Sequence, residues 1–158
     1  RELGRYLPQT LERLSLILEI DNDAGEFFCK VRELIDAFFS FPRLKHVGLI
    51  LNDSDSESSL VWDEDDLIYF QSRLEKAAQI RSIEVKLSFN CLTFLALQGF
   101  VAVLDKKFVL GDPVKIEIKI LDDKFNSKQS QEWLRWLKVG CYSMYTAEKK
   151  IILKSSFD

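Results

Sequence analysis

Residues 113–121 read PVKIEIKIL and residues 80–88 read IRSIEVKLS, so aliphatic residues alternate with charged or hydroxyl residues in both stretches. Successive side chains of a β-strand point to opposite faces, and each stretch therefore predicts a strand with one apolar and one polar face. Two other stretches are apolar and bounded by turn-forming or helical sequence, which also favours strands. The four expected strands are Leu14–Ile20, Val47–Leu51, Ile83–Leu87 and Val114–Leu121.

These strands recur with a regular period. Aligned on the pattern Leu-x-x-Leu-x-Leu, the units begin at Leu11, Leu44, Ile80 and Pro113, at spacings of 33, 36 and 33 residues. A further step of 34 reaches Ala147, just before an apolar run at residues 151–153 that predicts a last strand. We therefore expect one domain, 1–158, with four strand–helix repeats at roughly 11–43, 44–79, 80–112 and 113–146 and a C-terminal strand or cap at 147–158.

Between the predicted strands lie stretches whose apolar residues recur at the spacing of an α-helix. The first helix follows a group of possible caps at 21–23, the second begins with the acids at 63–66, and the third covers 92–104, which is apolar on nearly every side. Ser127 or Ser130 is expected to cap a fourth helix. The apolar residues of the first, second and fourth helices are Phe27, Phe28, Val31, Leu34, Ile35, Phe38 and Phe39; Leu67, Phe70, Leu74, Ala77 and Ala78; and Trp133, Leu134, Trp136 and Leu137.

A strand followed by a helix, repeated, gives parallel strands joined by right-handed crossovers. Because the third and fourth strands alternate strictly, one face of the sheet must meet solvent. The predicted fold is therefore α/β, a parallel sheet with helices on one side, as in a solenoid. The strand residues expected to face the helices at Phe28, Val31, Leu74 and Leu134 are Leu14, Leu16, Val47, Leu49, Ile83, Val85, Ile116 and Ile118.

One repeat carries a recognisable signature. Residues 44–52, Leu-x-x-Val-x-Leu-x-x-Asn, resemble the leucine-rich repeat, and residues 80–88 are similar, with Ser88 in place of the asparagine. The first and fourth repeats depart from it, with Glu19 and Leu121 there. Such long, irregular repeats resemble the leucine-rich domains attached to F-box proteins. The resemblance implies a non-enzymatic protein–protein interaction domain, for example the partner-recognition part of a ubiquitin-ligase adaptor. Since the chain opens on Arg1, we expect it to be a fragment of a longer protein.

Residues at equivalent positions of the four repeats are expected to lie side by side on neighbouring strands, which predicts four rows of side chains across the solvent-facing side of the sheet. An apolar pair, Ile17 and Ile50, rimmed by polar residues suits an interface anchor, unless neighbouring segments cover the pair as ordinary core. The predicted rows are Arg13, His46, Ser82 and Lys115; Ser15, Gly48, Glu84 and Glu117; Ile17, Ile50, Lys86 and Lys119; and Glu19, Asn52, Ser88 and Leu121.

The stretch 53–66 contains seven acids and no lysine or arginine. It is interpreted as a solvated loop plus helix start, as a docking strip for a partner with a basic surface, or as an acidic context for phosphorylation of Ser54 and Ser56. Asp53 and Asp55 also resemble the carboxylate pair that holds a divalent metal in nucleotide-sugar transferases, which gives an α/β metal enzyme as the alternative function. The residues predicted to bind a protein partner are Arg13, Ile17, His46, Ile50, Asn52, Asp53, Asp55 and Glu57.

Other kinds of chemistry find little support. His46 is the only histidine, and glycine-rich phosphate loops and nucleophile elbows are absent, so no catalytic residue, cofactor or metal site is expected. The net charge of −3 disfavours nucleic acid and anionic membranes as partners. Cys29, Cys91 and Cys141 have no disulfide or zinc spacing, and residues 1–20 lack the charged, apolar and small segments that a signal peptide has in that order, so a cytoplasmic or nuclear location is expected.

The C-terminal part is rich in aromatic residues and lysine. Its aromatic segment is expected to cap the last repeat, with a partner-binding patch as the alternative. The segment contains Trp133, Trp136, Tyr142, Met144 and Tyr145.

Overall fold

The computed structural model describes residues 10–19, 31–52, 61–109, 111–122, 124–137, 142–147 and 150–155, with the backbone alone for 17–19, 51–52 and 142–147. Strands and helices alternate through most of this chain. In chain order they are β1 (Arg13–Glu19), α1 (Val31–Phe39), β2 (His46–Asn52), β3 (Val61–Trp62), α2 (Glu64–Lys76), β4 (Ser82–Phe89), α3 (Phe94–Lys107), β5 (Val114–Ile120), α4 (Ser127–Trp136), β6 (Tyr142–Ala147) and β7 (Lys150–Ser155).

All the described strands belong to one mixed sheet, whose order is β1-β2-β4-β5-β7-β6. The first four of these strands are parallel, and their order in the sheet follows their order in the chain, as the repeat predicts. The two-residue strand β3 pairs with the end of β4, at Ser88 and Phe89, beyond the part of β4 that pairs with β2. The predicted strand positions are therefore confirmed, and β3 is an addition.

The C-terminal part of the sheet corrects the expectation of a purely parallel solenoid. β7 runs antiparallel to β5, and β6 runs antiparallel to β7 at the edge. Residues 151–153 form the predicted last strand, but the aromatic segment 142–147 is also a strand and not a cap alone. Only two residues separate β6 from β7, and a parallel connection needs about a dozen, so these two strands pair as antiparallel neighbours.

The helix starts follow from local hydrogen bonding. Asp63 caps α2, and its carboxylate accepts from the Asp66 amide while the Asp66 carboxylate accepts from the Asp63 amide, which completes a capping box. Thr93 is the N-cap of α3, and its hydroxyl oxygen accepts a hydrogen bond from the Ala96 amide. The cap of α4 is Asn126 and not Ser127 or Ser130, because the Asn126 side chain accepts from the Gln129 amide.

The core lies between the helices and one face of the sheet. Buried residues of α1, α2 and α3 form one cluster with the inward residues of the strands, and Trp133 of α4 packs against this cluster. Of the strand residues expected to face inward, those of β2, β4 and β5 are buried, whereas Leu14 and Leu16 of β1 are only half-buried. Helices on one side of the sheet are the arrangement that the alternation predicts.

Candidate protein-binding face of the sheet

The face of the sheet opposite the helices carries mainly polar and charged side chains. Outward positions of β4, β5 and β7 are exposed or half-buried, except Ser88, while their neighbours in sequence are buried in the core. We call this surface the open face. The described outward residues are Arg13, Ser15, His46, Gly48, Ile50, Ser82, Glu84, Lys86, Ser88, Lys115, Glu117, Lys119, Lys150, Ile152 and Lys154.

Strand register differs from the predicted rows at β5. Arg13, His46 and Ser82 lie opposite one another, as predicted. Lys115, however, lies opposite Glu84 and not opposite Ser82, so β5 is displaced by two residues from the alignment by repeats. The predicted rows that paired Glu84 with Glu117 and Lys86 with Lys119 are wrong.

Between β4 and β5, the observed register is electrostatically more favourable than the predicted one. The predicted register would set like charges side by side, which destabilises a sheet, whereas the observed one sets Glu84 beside Lys115 and Lys86 beside Glu117. Lys115 Nζ lies 3.6 Å from Glu84 Oε1. On the next strand pair, Lys150 Nζ reaches diagonally to within 3.1 Å of Glu117 Oε1.

Five lysines surround Glu117 and Ile152 at the centre of the β4–β5–β7 part of the open face. Glu117 pairs with Ile152 across β5 and β7, and the lysines occupy the neighbouring outward positions on these strands and on β4. We call this group the lysine ring; it consists of Lys86, Lys115, Lys119, Lys150 and Lys154. Sequence reasoning missed it, because it placed β5 in another register and left β7 unpaired.

The β1–β2 part of the open face is less charged. Arg13 and Ser15 are exposed, His46 and Ile50 are half-buried, and a Cβ added at Gly48 would lie 2.4 Å from Ser15 Oγ. An alanine at position 48 would therefore force the Ser15 side chain to move.

His46 has a lowered pKa. Burial is the main cause, and the positive charge of Arg13 adds to it, while Glu12 acts in the opposite direction. Lys45 Nζ donates a hydrogen bond to Glu12 Oε1 at 3.0 Å, which lowers the pKa of the Glu12 carboxyl. No described carboxylate bonds to the imidazole, so the arrangement gives no support to His46 as a catalytic base.

The structure therefore describes three of the predicted partner-binding side chains, Arg13, His46 and Ile50, and brings them to the same face. The side chains of Ile17 and Asn52 lie outside the described part of the chain. Asp53, Asp55 and Glu57 also lie outside it, as do Ser54 and Ser56. The docking, phosphorylation and metal interpretations of residues 53–57 stay predictions.

The second half of the acidic stretch has local structural roles. Asp66 takes part in the capping box, and its Oδ1 also lies 3.5 Å from Arg32 Nε. Glu64 Oε1 accepts a hydrogen bond from the Thr93 amide at the start of α3. Acids in the first turn also interact favourably with the helix dipole. For residues 63–66 the interpretation as a helix start is confirmed.

Outside the open face, the described residues include a free thiol and a partly buried lysine. No cluster of three potential metal ligands occurs among them, and Cys91 is an exposed free thiol there. Lys107 is partly buried, which lowers its pKa, and its ammonium donates to the Ala77 carbonyl at the end of α2. This contact satisfies a carbonyl at the end of the helix.

A cleft of about 340 Å³ lies between α3 and the end of α4. Trp136, 68% exposed, forms one wall, and Asp105 is the ionisable group among the described lining residues.

Comparisons with known proteins give no matching family model, no matching curated protein and no matching solved structure. Within the described residues, no helix is long and apolar enough to cross a lipid bilayer.

Proposed function

We propose that this chain is a non-enzymatic protein–protein interaction domain that binds its partner on the open face of the sheet. The observation that carries the proposal is the one-sided architecture, in which helices bury one face of the sheet and leave a broad polar face with scattered aliphatic residues. The resemblance to leucine-rich repeats supports the same function, since such domains bind proteins.

Two parts of the open face would contribute. Ile50 supplies an aliphatic contact on the same face of β2 as His46, which lies four residues away along the strand and pairs with Arg13 of β1; aliphatic contacts within a polar surface are the usual composition of an interface. Ile152, within the lysine ring, supplies a second aliphatic contact of the same kind. The acidic residues Asp53, Asp55 and Glu57 would add a strip that attracts basic groups of the partner at the β2 end.

Site-specific photocrosslinking tests the proposal. A photoreactive phenylalanine is placed at Arg13 or Glu84 on the open face, or at Glu75, an exposed position of α2 that serves as the matched control. We expect both open-face variants to crosslink the same protein in an extract and the Glu75 variant not to. Crosslinking only from Glu75, or equally from all three positions, would contradict the proposal.

A further inference from the structure

The cleft between α3 and the end of α4 combines apolar, aromatic and acidic surface in one place. Val101 and Leu137 are buried and form its apolar part. The indole of Trp136 forms one wall, and Asp105 and Gln98 supply the described polar side chains. Its volume of about 340 Å³ lies at the lower end of the roughly 300–1,000 Å³ of ligand pockets, so it has room for a single side chain.

The two walls of the cleft are held in place by packing. Trp133 of α4 contacts Phe94 of α3 and Phe125, with ring centroids 5.8 and 5.0 Å apart. The Leu137 amide donates a hydrogen bond to the Trp133 carbonyl at 2.9 Å, which fixes the end of α4. A ligand therefore meets a formed cleft, and less ordering opposes its binding.

The described charge in the cleft is negative. Asp105 is exposed, and no other described residue forms an ion pair or a hydrogen bond with its carboxylate. Lys106 and Arg135 are neighbours of the lining residues in sequence, but neither lines the cleft. A cationic ligand is therefore the one that complements this site.

The exposed indole indicates which cation fits. Trp136 is 68% exposed, although tryptophan is highly buried on average. A guanidinium group is planar, stacks on an indole and pairs with a carboxylate, while the aliphatic stem of arginine packs on apolar surface. The ammonium of lysine matches the charge but has no plane to stack on the ring.

We infer that this cleft binds an arginine side chain of a partner protein, with the guanidinium between Trp136 and Asp105. A protein segment fits better than a free small cation, because Leu95 is 76% exposed and lies on the same side of α3 as Gln98 and Ala102. Residues that flank the arginine can cover Leu95. The cleft lies on the helical side of the sheet, so this inference does not rest on the proposed function.

Four probes test the inference. They are the blocked peptide SLSRSLS, the same peptide with lysine in place of arginine, the same peptide with the neutral arginine analogue citrulline, and methylguanidine. Each is titrated into the whole chain at low salt while the indole N–H signals of the three tryptophans are followed by NMR. The Trp136 signal is identified by its loss in Trp136→Leu. We expect SLSRSLS to shift this signal and to bind roughly tenfold more tightly than the citrulline peptide and roughly threefold more tightly than the lysine peptide or methylguanidine.

Single variants locate the site. We expect Asp105→Asn to weaken the binding of SLSRSLS roughly fivefold, because the guanidinium loses its counter-charge, and Trp136→Leu to weaken it roughly threefold. Glu75→Gln is the matched control, since it removes the same charge at an exposed position of α2, and it should leave the affinity unchanged. Unaltered backbone amide spectra show that each variant is folded.

Several results would overturn the inference. These are equal binding of the arginine and citrulline peptides, equal binding of the arginine and lysine peptides, or an affinity that Asp105→Asn does not change. Methylguanidine binding as tightly as SLSRSLS would show a site for small cations and not for a protein segment. Crosslinking from Arg13 and Glu84 tests the open face separately, so either proposal can fail while the other stands.

Discussion

Lys115 of β5 lies directly opposite Glu84 of β4, with Nζ and Oε1 3.6 Å apart and both side chains about half exposed. We expect Glu84→Lys to lower the free energy of unfolding by about 0.5–1 kcal/mol, because it places two lysines side by side. The exchange Glu84→Lys with Lys115→Glu should recover most of this loss. Urea denaturation at low salt measures both effects, and 1 M salt should remove the difference. Equal stability of the single and double variants at low salt would contradict the pairing.

Val85 lies on the inward side of the central strand β4 and is 1% exposed. Val85→Ala removes two buried methyl groups and leaves a small cavity, so we expect a loss of about 1–3 kcal/mol in the free energy of unfolding. Val109→Ala is the matched control, since Val109 is 61% exposed, and it should change stability by less than about 0.5 kcal/mol. Similar losses in both variants by urea denaturation would place Val85 outside the core.

Gly48 of β2 lies directly opposite Ser15 of β1 in the parallel strand pair. A Cβ at position 48 would approach the Ser15 Cβ to 3.0 Å, so we expect Gly48→Ala to destabilise the fold by about 1–2 kcal/mol through overpacking. Ser15→Gly should recover part of that loss in the double variant, and the double-mutant cycle should be clearly non-additive. Additive losses in thermal or urea denaturation would show that the two positions do not contact each other.

His46 should make stability depend on pH in a defined window. Its pKa in the fold is lowered, chiefly by burial, from the ordinary value of 6.5, so the unfolded chain takes up the proton more readily. Above pH 6.5, His46 therefore has no effect on the free energy of unfolding. This free energy decreases as the pH drops from 6.5 through the lowered pKa. His46→Gln should flatten this part of the profile. Because the chain has one histidine, its imidazole NMR signal reports the pKa directly, and a midpoint at or above 6.5 would refute the prediction.

Asp63 holds the first turn of α2 through the capping box with Asp66. Asp63→Ala should lower the free energy of unfolding by about 1 kcal/mol, since the Asp66 amide loses its acceptor. Asp65→Ala is the control, because Asp65 is exposed in the same turn and contributes to the helix dipole, for which about 0.3–1 kcal/mol is expected. A smaller effect at Asp63 than at Asp65 would show that the cap contributes little.

The sequence alone predicted the four helices, the strands β1, β2, β4, β5 and β7 and the buried side of β2, β4 and β5, but it predicted neither β3 nor β6. Alternation in residues 80–88 and 113–121 depends on the geometry of a single strand, and the capping residue Asp63 acts within one turn of its helix. These are local properties, so they can be inferred without knowing the neighbours. The same alternation predicted the open face, and the repeat period placed Arg13 opposite His46.

Only the tertiary structure decided which residues meet across strands far apart in the chain. Lys115 pairs with Glu84 because the register of β5 depends on how a whole helical crossover packs and on cross-strand charge, neither of which a repeat period contains. The short connection between the last two strands explains why β6 and β7 pair as antiparallel neighbours, whereas only the tertiary structure decides that β7, and not β6, lies next to β5. The lysine ring arises from these two pairings together, because β4, β5 and β7 contribute lysines that are separated by up to 68 residues in sequence and are neighbours only in the sheet.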